Sequence, residues 1–238
     1  MTDMFYITES LVYDFSNKSI KYQDKKINHR NWLNYFSDYG YTNMPDIWLE
    51  RLGKNRTKMG ILDCGSNGDC LFFSIAEALN FENQKRGICD YHTVESLRTL
   101  VANAINKNNF ELILESYKLE YESFDFNGDW NPFEIKTIKQ LKNEIIKGGD
   151  NFWGDMILIQ LLIDTLKTNI IILRSDISKI YPLMHDIKKY TKSIILYYND
   201  DIHFQLVGIY SGNSLNTVHH RLPQFFNEIY YTDTNSLE

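Results

Sequence analysis

The segment Asn67-Gly68-Asp69-Cys70-Leu71-Phe72 sets one cysteine directly behind a polar, glycine-bearing turn. An apolar run from Leu71 to Leu79 follows it and suits a helix. A thiol at a helix N-terminus lies at the positive end of the macrodipole, which favours the thiolate. The free backbone N–H groups of such a turn can also receive a developing oxyanion. These are the parts of a cysteine nucleophile, and a buried structural cysteine needs none of them. Cys70 then requires a base. Of the six histidines, His203 stands at the mouth of an apolar strand, just after the turn Asn199-Asp200-Asp201, where a side chain can face a cleft. A neutral imidazole there accepts the thiol proton and returns it to a leaving amine.

A third group should orient the imidazole. Side chains two apart on a strand share a face, about 6.6 Å apart along it. Asp201 and Gln205 therefore flank His203 on its own face. Gln205, in the strand proper, is the first candidate, since an amide oxygen accepts from the ring N–H without adding charge. Asp201, in the turn, is the second. Asn67 is counted with the catalytic set as a polar member of the cysteine turn, although a turn-forming role accounts for it as well.

The elements that must position these groups are legible in outline. Met59 to Leu62 leads into the cysteine turn and its helix. Residues 93–107 read as a helix with Val94, Leu97, Val101 and Ile105 on one face, and Ile135 to Ile146 as another, stopped by Gly148-Gly149. Asp155 is placed to cap a helix beginning at Met156. The β-branched runs 169–173 and 193–198 read as central strands buried on both faces, and 203–210 as a third strand. Upstream, residues 11–15 and 19–22 flank Ser16-Asn17-Lys18 as a hairpin, and Asn28 caps a helix carrying Trp32, Leu33, Tyr35 and Phe36. Pro45 opens a short helix ending at Gly53. The chain divides into an N-terminal extension (1–55), a main domain (56–212) and a C-terminal tail (213–238). Helices alternating with apolar strands indicate an α+β domain of layered type.

Composition bounds the partners. Of 238 residues, 43% are apolar, enough for a sizeable core, and the net charge of -6 argues against a general nucleic-acid binder. No run approaches the ~18 apolar residues of a membrane span. The N-terminus lacks the basic segment of a secretion signal. Three cysteines are too few, and odd in number, for a disulfide scaffold, so a reducing cytoplasmic setting is expected. The abundance of Asn, Ile, Lys, Tyr and Phe suggests an A/T-rich genome, such as that of a large DNA virus or an intracellular bacterium.

Three motifs in order resemble the ovarian tumour (OTU) family of cysteine proteases, which are deubiquitinases. They are Asn67-Gly68-Asp69-Cys70-Leu71-Phe72, then Trp153-Gly154-Asp155 before a helix, then His203-Phe204 after an apolar strand. The resemblance spans roughly Gly60 to Tyr210. It implies a papain-like fold with a central twisted sheet between helical layers. It implies Cys70 as nucleophile, His203 as general base, and an oxyanion hole from the backbone N–H groups of Gly68, Asp69 and Cys70. The substrate it implies is the isopeptide bond at the C-terminal glycine of ubiquitin, in polyubiquitin chains, in host cytoplasm if the protein is viral or a bacterial effector. Trp153, Gly154, Ile202 and Phe204 become candidate substrate contacts, although Trp153 and Phe204 equally suit core packing. Gly154 would permit close approach of ubiquitin's glycine tail. The family usually places Asp where this chain has Asn67, and Asp or Asn where it has Gln205; both positions stay polar and lose a charge. Two alternatives remain open: a catalytically weak or inactive ubiquitin-binding module, and a papain-like protease for another ubiquitin-like modifier.

No cofactor and no metal is expected. Cys64, Cys70, Cys89 and His92 are zinc-type ligands, but Cys64 and Cys70 are spaced too widely for a knuckle, and the site would consume Cys70. In Asp125-Phe126-Asn127-Gly128-Asp129 the glycine comes too early for a calcium loop.

Overall fold

The computed structural model describes residues 5–7, 12–14, 37, 39–52, 58–65, 68–176, 179–180, 189–199, 202–211 and 214–235. A mixed sheet runs in the order β3 (Thr42–Asn43), β4 (Lys58–Leu62), β7 (His203–Ser211), β6 (Lys192–Asn199), β5 (Thr168–Arg174). β5 and β6 are parallel, and the other pairs are antiparallel. Two short strands, β8 (Ser214–Asn216) and β9 (Val218–His219), pair with β7 and β6. β1 (Phe5–Ile7) and β2 (Val12–Asp14) form a separate antiparallel pair.

The period-2 alternation of strand side chains divides the core in two. Ile170, Ile172, Ile194, Leu196, Phe204 and Leu206 face one layer. That layer holds α2 (Cys70–Lys85), α3 (Val94–Ala104), α4 (Phe110–Glu122), α5 (Ile138–Lys147) and α6 (Met156–Leu166). Ile171, Leu173, Ile195, Tyr197, Val207 and Ile209 face the other. There α1 (Asp46–Leu52) contributes Trp48 and Leu52, and α7 (Gln224–Asn235) contributes Phe226 and Tyr230. Each such aromatic or aliphatic burial is worth about 1.5–3 kcal/mol. The apolar run Ile170–Leu173 of β5, buried on both faces, demands cover on each side. The second cover comes from segments read in the sequence as extension and tail.

Local signals match the elements they announce. Asp155 caps α6, its Oδ1 accepting from the Leu158 N–H at 2.7 Å. Thr93 and Thr137 form capping boxes at α3 and α5. α4, β8, β9 and α7 are found where the sequence reading names no element. Strand β2 coincides with the hairpin read at 11–15, but its partner is β1; residues 19–22 and the helix after Asn28 lie outside the described residues.

Asp233 fastens the second layer. It is 4% exposed, pairs with Arg51 of α1, and accepts the Ile180 N–H at 2.7 Å. A buried charged acceptor holding a backbone donor and a cation contributes about 2–3 kcal/mol. Asp233→Ala should therefore lower the stability measured by urea unfolding by about that amount. An unchanged midpoint would show that the apolar contacts alone hold α7.

Candidate active site

α2 begins at Cys70, and the turn before it fits only one shape. Gly68 has φ +81, and a Cβ there would lie 2.1 Å from the Gly149 carbonyl oxygen and 2.6 Å from Trp153 Cδ1. The turn thus passes directly beneath the 148–154 loop. The Gly154 N–H donates to the Gly68 carbonyl at 3.3 Å.

Cys70 is 6% exposed and its Sγ accepts the Phe204 N–H at 3.4 Å. The helix that begins at Cys70 and the strand that begins at His203 are therefore in direct contact. The Ser74 hydroxyl, one turn along α2, donates to the Phe204 carbonyl at 3.3 Å, and Phe204 stacks on Tyr198 at 4.3 Å between ring centroids. Phe204 is thereby locked, and with it the start of β7. The His203 ring stands beside Cys70, the next residue in the strand being the one that donates to the thiol, and Cys70 is the group that acts most on the ring's titration. The ring Nε2 lies 3.1 Å from Asp63 Oδ1. The Cys70 contact, and after it the Asp63 carboxylate, raise the His203 pKa above the ordinary imidazole value against the opposing effect of burial.

Asp63 is a residue the sequence reading missed. It follows β4, and the β4–β7 register, with Leu62 opposite Leu206, carries forward to place Asp63 opposite Gln205 and diagonal to His203. Its Oδ1 also accepts the Gly65 N–H at 3.2 Å, which steadies the carboxylate. Gln205 lies in β7 opposite Tyr197 and makes no side-chain hydrogen bond among the described residues. Asn67 and Asp201 lie outside the described residues. Ile202 is 60% exposed beside His203. Trp153 packs over Gly68, and the space beside the Gly154 Cα is filled by Leu71, whose side chain lies 2.6 Å from where a Cβ would stand. The signal for Asp63 in the sequence was an acidic residue ending the strand that feeds the cysteine turn.

Arg98 is the second residue the sequence reading passed over. It is 1% exposed, on α3 among Leu97 and Val101, and reaches beneath the cysteine turn. Its Nε donates to Asp69 Oδ1 at 2.6 Å, and its Nη atoms to the carbonyls of Ile145 at 3.0 Å, Phe152 at 2.7 Å and Gly68 at 3.5 Å. The guanidinium lies 4.3 Å from the centroid of the Phe72 ring. Burial pulls its pKa below the ordinary value, with Asp69 the main counterweight. Beyond it, burial pushes the Asp155 carboxyl up to about 6. Tyr117 stands beside Asp155, yet neither its hydroxyl nor Asp155 Oδ2 reaches a partner in hydrogen-bond geometry.

The other thiols differ. Cys64 is fully buried and donates weakly to the Leu62 carbonyl, and burial, then Glu77, push its pKa well up. Cys89 is exposed. Among the described residues no three His, Cys, Asp or Glu side chains converge as metal ligands, and no helix is long and apolar enough to cross a membrane.

Thiol and imidazole that meet where a helix N-terminus abuts a sheet strand are the papain-like solution to thiol catalysis, and this mixed sheet between helices is of that α+β class. The profile of one such family, described as OTU-like cysteine protease, matches residues 65–207, more than half of the chain. The chain belongs to that family. No curated protein matches it significantly. Among solved structures it is similar to an ovarian tumour domain in complex with ubiquitin (18% identity, 76% of this chain and 85% of that one, TM-score 0.47). It is also similar to an OTU deubiquitinase from Wolbachia pipientis wMel (15%, 66% and 91%, TM-score 0.44). A third similar structure is the viral OTU domain protease of Dera Ghazi Khan virus (14%, 64% and 82%, TM-score 0.39).

Proposed function

We propose that this protein is a deubiquitinase in which Cys70 is the nucleophile, His203 the general base and acid, and Asp63, in place of Gln205, the group that orients the imidazole. The observation that carries this reading is the Asp63–His203–Cys70 succession, with Asp63 Oδ1 at 3.1 Å from Nε2 and Cys70 Sγ held by the N–H of Phe204, next to His203 in the strand. Its substrate class rests on the resemblance of the three motifs to the ovarian tumour deubiquitinases. His203 takes the Cys70 proton, and the thiolate adds to the isopeptide carbonyl between the ubiquitin C-terminal glycine and a lysine. The oxyanion is met by the N–H groups of Gly68, Asp69 and Cys70. Collapse breaks the C–N bond, His203 protonates the leaving amine, and a ubiquitin thioester remains. His203 then deprotonates water, which adds to the thioester; the thiolate leaves and ubiquitin's carboxylate is released. Ile202, exposed beside His203, is assigned to the substrate cleft with Trp153. Polyubiquitin is the natural form of the substrate, and the reducing cytoplasm the setting that keeps Cys70 free.

The test is reaction with ubiquitin carrying a cysteine-trapping electrophile in place of its C-terminal carboxyl. Attachment of one ubiquitin, mapped by mass spectrometry to Cys70, is the expected result. Failure of ubiquitin to react, with reaction of an analogous probe built on another ubiquitin-like modifier, would reassign the substrate.

A further inference from the structure

Asp69 stands at the N-cap position of α2 and makes no side-chain cap bond. Aspartate is among the strongest N-cap residues. The caps of α3, α5 and α6 (Thr93, Thr137 and Asp155) all turn back onto their helices. Asp69 is instead drawn away. Arg98 takes Oδ1 from Nε at 2.6 Å and from Nη2 at 2.5 Å, and the Gly149 N–H takes Oδ2 at 3.0 Å. The same guanidinium binds the carbonyls of Gly68 and Phe152, one on each of the two loops that meet at Gly68.

We propose that Arg98 is a positioning residue for catalysis: it holds the Asp69 carboxylate and the Gly68 carbonyl on the core side of the cysteine turn. The N–H groups of Gly68, Asp69 and Cys70 then keep their place for an oxyanion, and a paired Asp69 does not oppose the thiolate. The proposal rests on the reading of Cys70 as nucleophile. Its physical basis is that a carboxylate released beside the start of α2 has two destinations, both harmful. It can turn back to cap the N–H groups of Leu71 and Phe72, which rotates the Asp69 and Cys70 backbone away from the geometry an oxyanion needs. Left unpaired, it repels a forming negative charge across a short, poorly solvated distance. The titratable groups in play are few: Cys70 faces His203, with Asp63 behind it, and Arg98 senses Asp69, then Asp155 and Tyr117.

The experiment measures turnover of a ubiquitin C-terminal fluorogenic amide and, separately, the pH dependence of Cys70 alkylation by iodoacetamide in a Cys89→Ser background. Arg98→Met should lower kcat by about 10²-fold with KM changed less than about threefold, the size of one lost oxyanion donor. It should also move the alkylation midpoint to higher pH. Asp69→Asn, which leaves the Arg98 charge unmatched, should move that midpoint to lower pH. Arg98→Met combined with Asp69→Asn should recover about tenfold in kcat and bring the midpoint back. If circular dichroism shows Arg98→Met unfolded, Arg98→Lys is read instead; it keeps the charge, loses the fork, and should shift both quantities in the same direction by less. A folded Arg98 variant with kcat and midpoint unchanged overturns the proposal. Alkylation needs no ubiquitin, so a wild type that turns over no ubiquitin substrate defeats the deubiquitinase reading while the alkylation shifts still decide the role of Arg98.

Discussion

Cys70→Ala should abolish ubiquitin turnover, with kcat/KM down by at least about four orders of magnitude. The change removes one sulfur that accepts the Phe204 N–H and stands beside the His203 ring. Alanine is the best helix former, so α2 keeps its start. Fold and ubiquitin affinity should therefore survive while the covalent step is lost, since no other group at the site can form the thioester. Binding measured calorimetrically on the inert variant separates the two effects. Turnover retained in Cys70→Ala would remove Cys70 as nucleophile. Cys64, held in the core with its thiol pushed up, cannot substitute, and the exposed Cys89 serves as control, Cys89→Ser keeping full activity.

The second large effect is on the imidazole. His203→Ala should cost about 10³–10⁴-fold in kcat, because in the proposed mechanism both thiol activation and leaving-group protonation pass through this ring. The partner is then read from two smaller changes. Asp63→Asn should cost about 10–100-fold, less than for a buried triad carboxylate, because Asp63 is 63% exposed and water screens it. Gln205→Ala should stay within about twofold. The pH profile carries a sign as well. The Cys70 contact raises the His203 pKa most, and the Asp63 carboxylate adds to it. Withdrawing that carboxylate lowers the pKa, so imidazolium is lost at lower pH and the alkaline limb of kcat/KM moves toward acid. A Gln205→Ala defect larger than that of Asp63→Asn would return the orienting role to the strand.

The family context also bears on the departures at Asn67 and Gln205. Both lack the charge usual in the pattern, and by sequence alone they argue for a weakened enzyme. Asp63 supplies a carboxylate to the ring from another direction, across the sheet rather than along the strand. A charge of the right sign at the right nitrogen matters more than its place in the chain.

What the sequence by itself determined is what depends on neighbours along the chain. A cysteine between a glycine turn and an apolar helix, Asp155 as a cap, and β-branched runs 169–173 and 193–198 as buried strands are all set by local sterics, capping and periodicity. α4 escaped notice because Leu112 and Leu119 stand exposed on the face opposite Phe110, Ile113 and Tyr117, which blurs its periodicity. The tertiary structure alone decided the pairings across the sheet and between layers. The β4–β7 register brings Asp63 to His203 over 140 residues, and α3 sends Arg98 under a turn 29 residues before it. Trp48 and Phe226, from segments read as peripheral, cover the second face of the sheet. Each of these rests on geometry that exists only once the strands are paired and the helices packed, and no local spacing of residues encodes it.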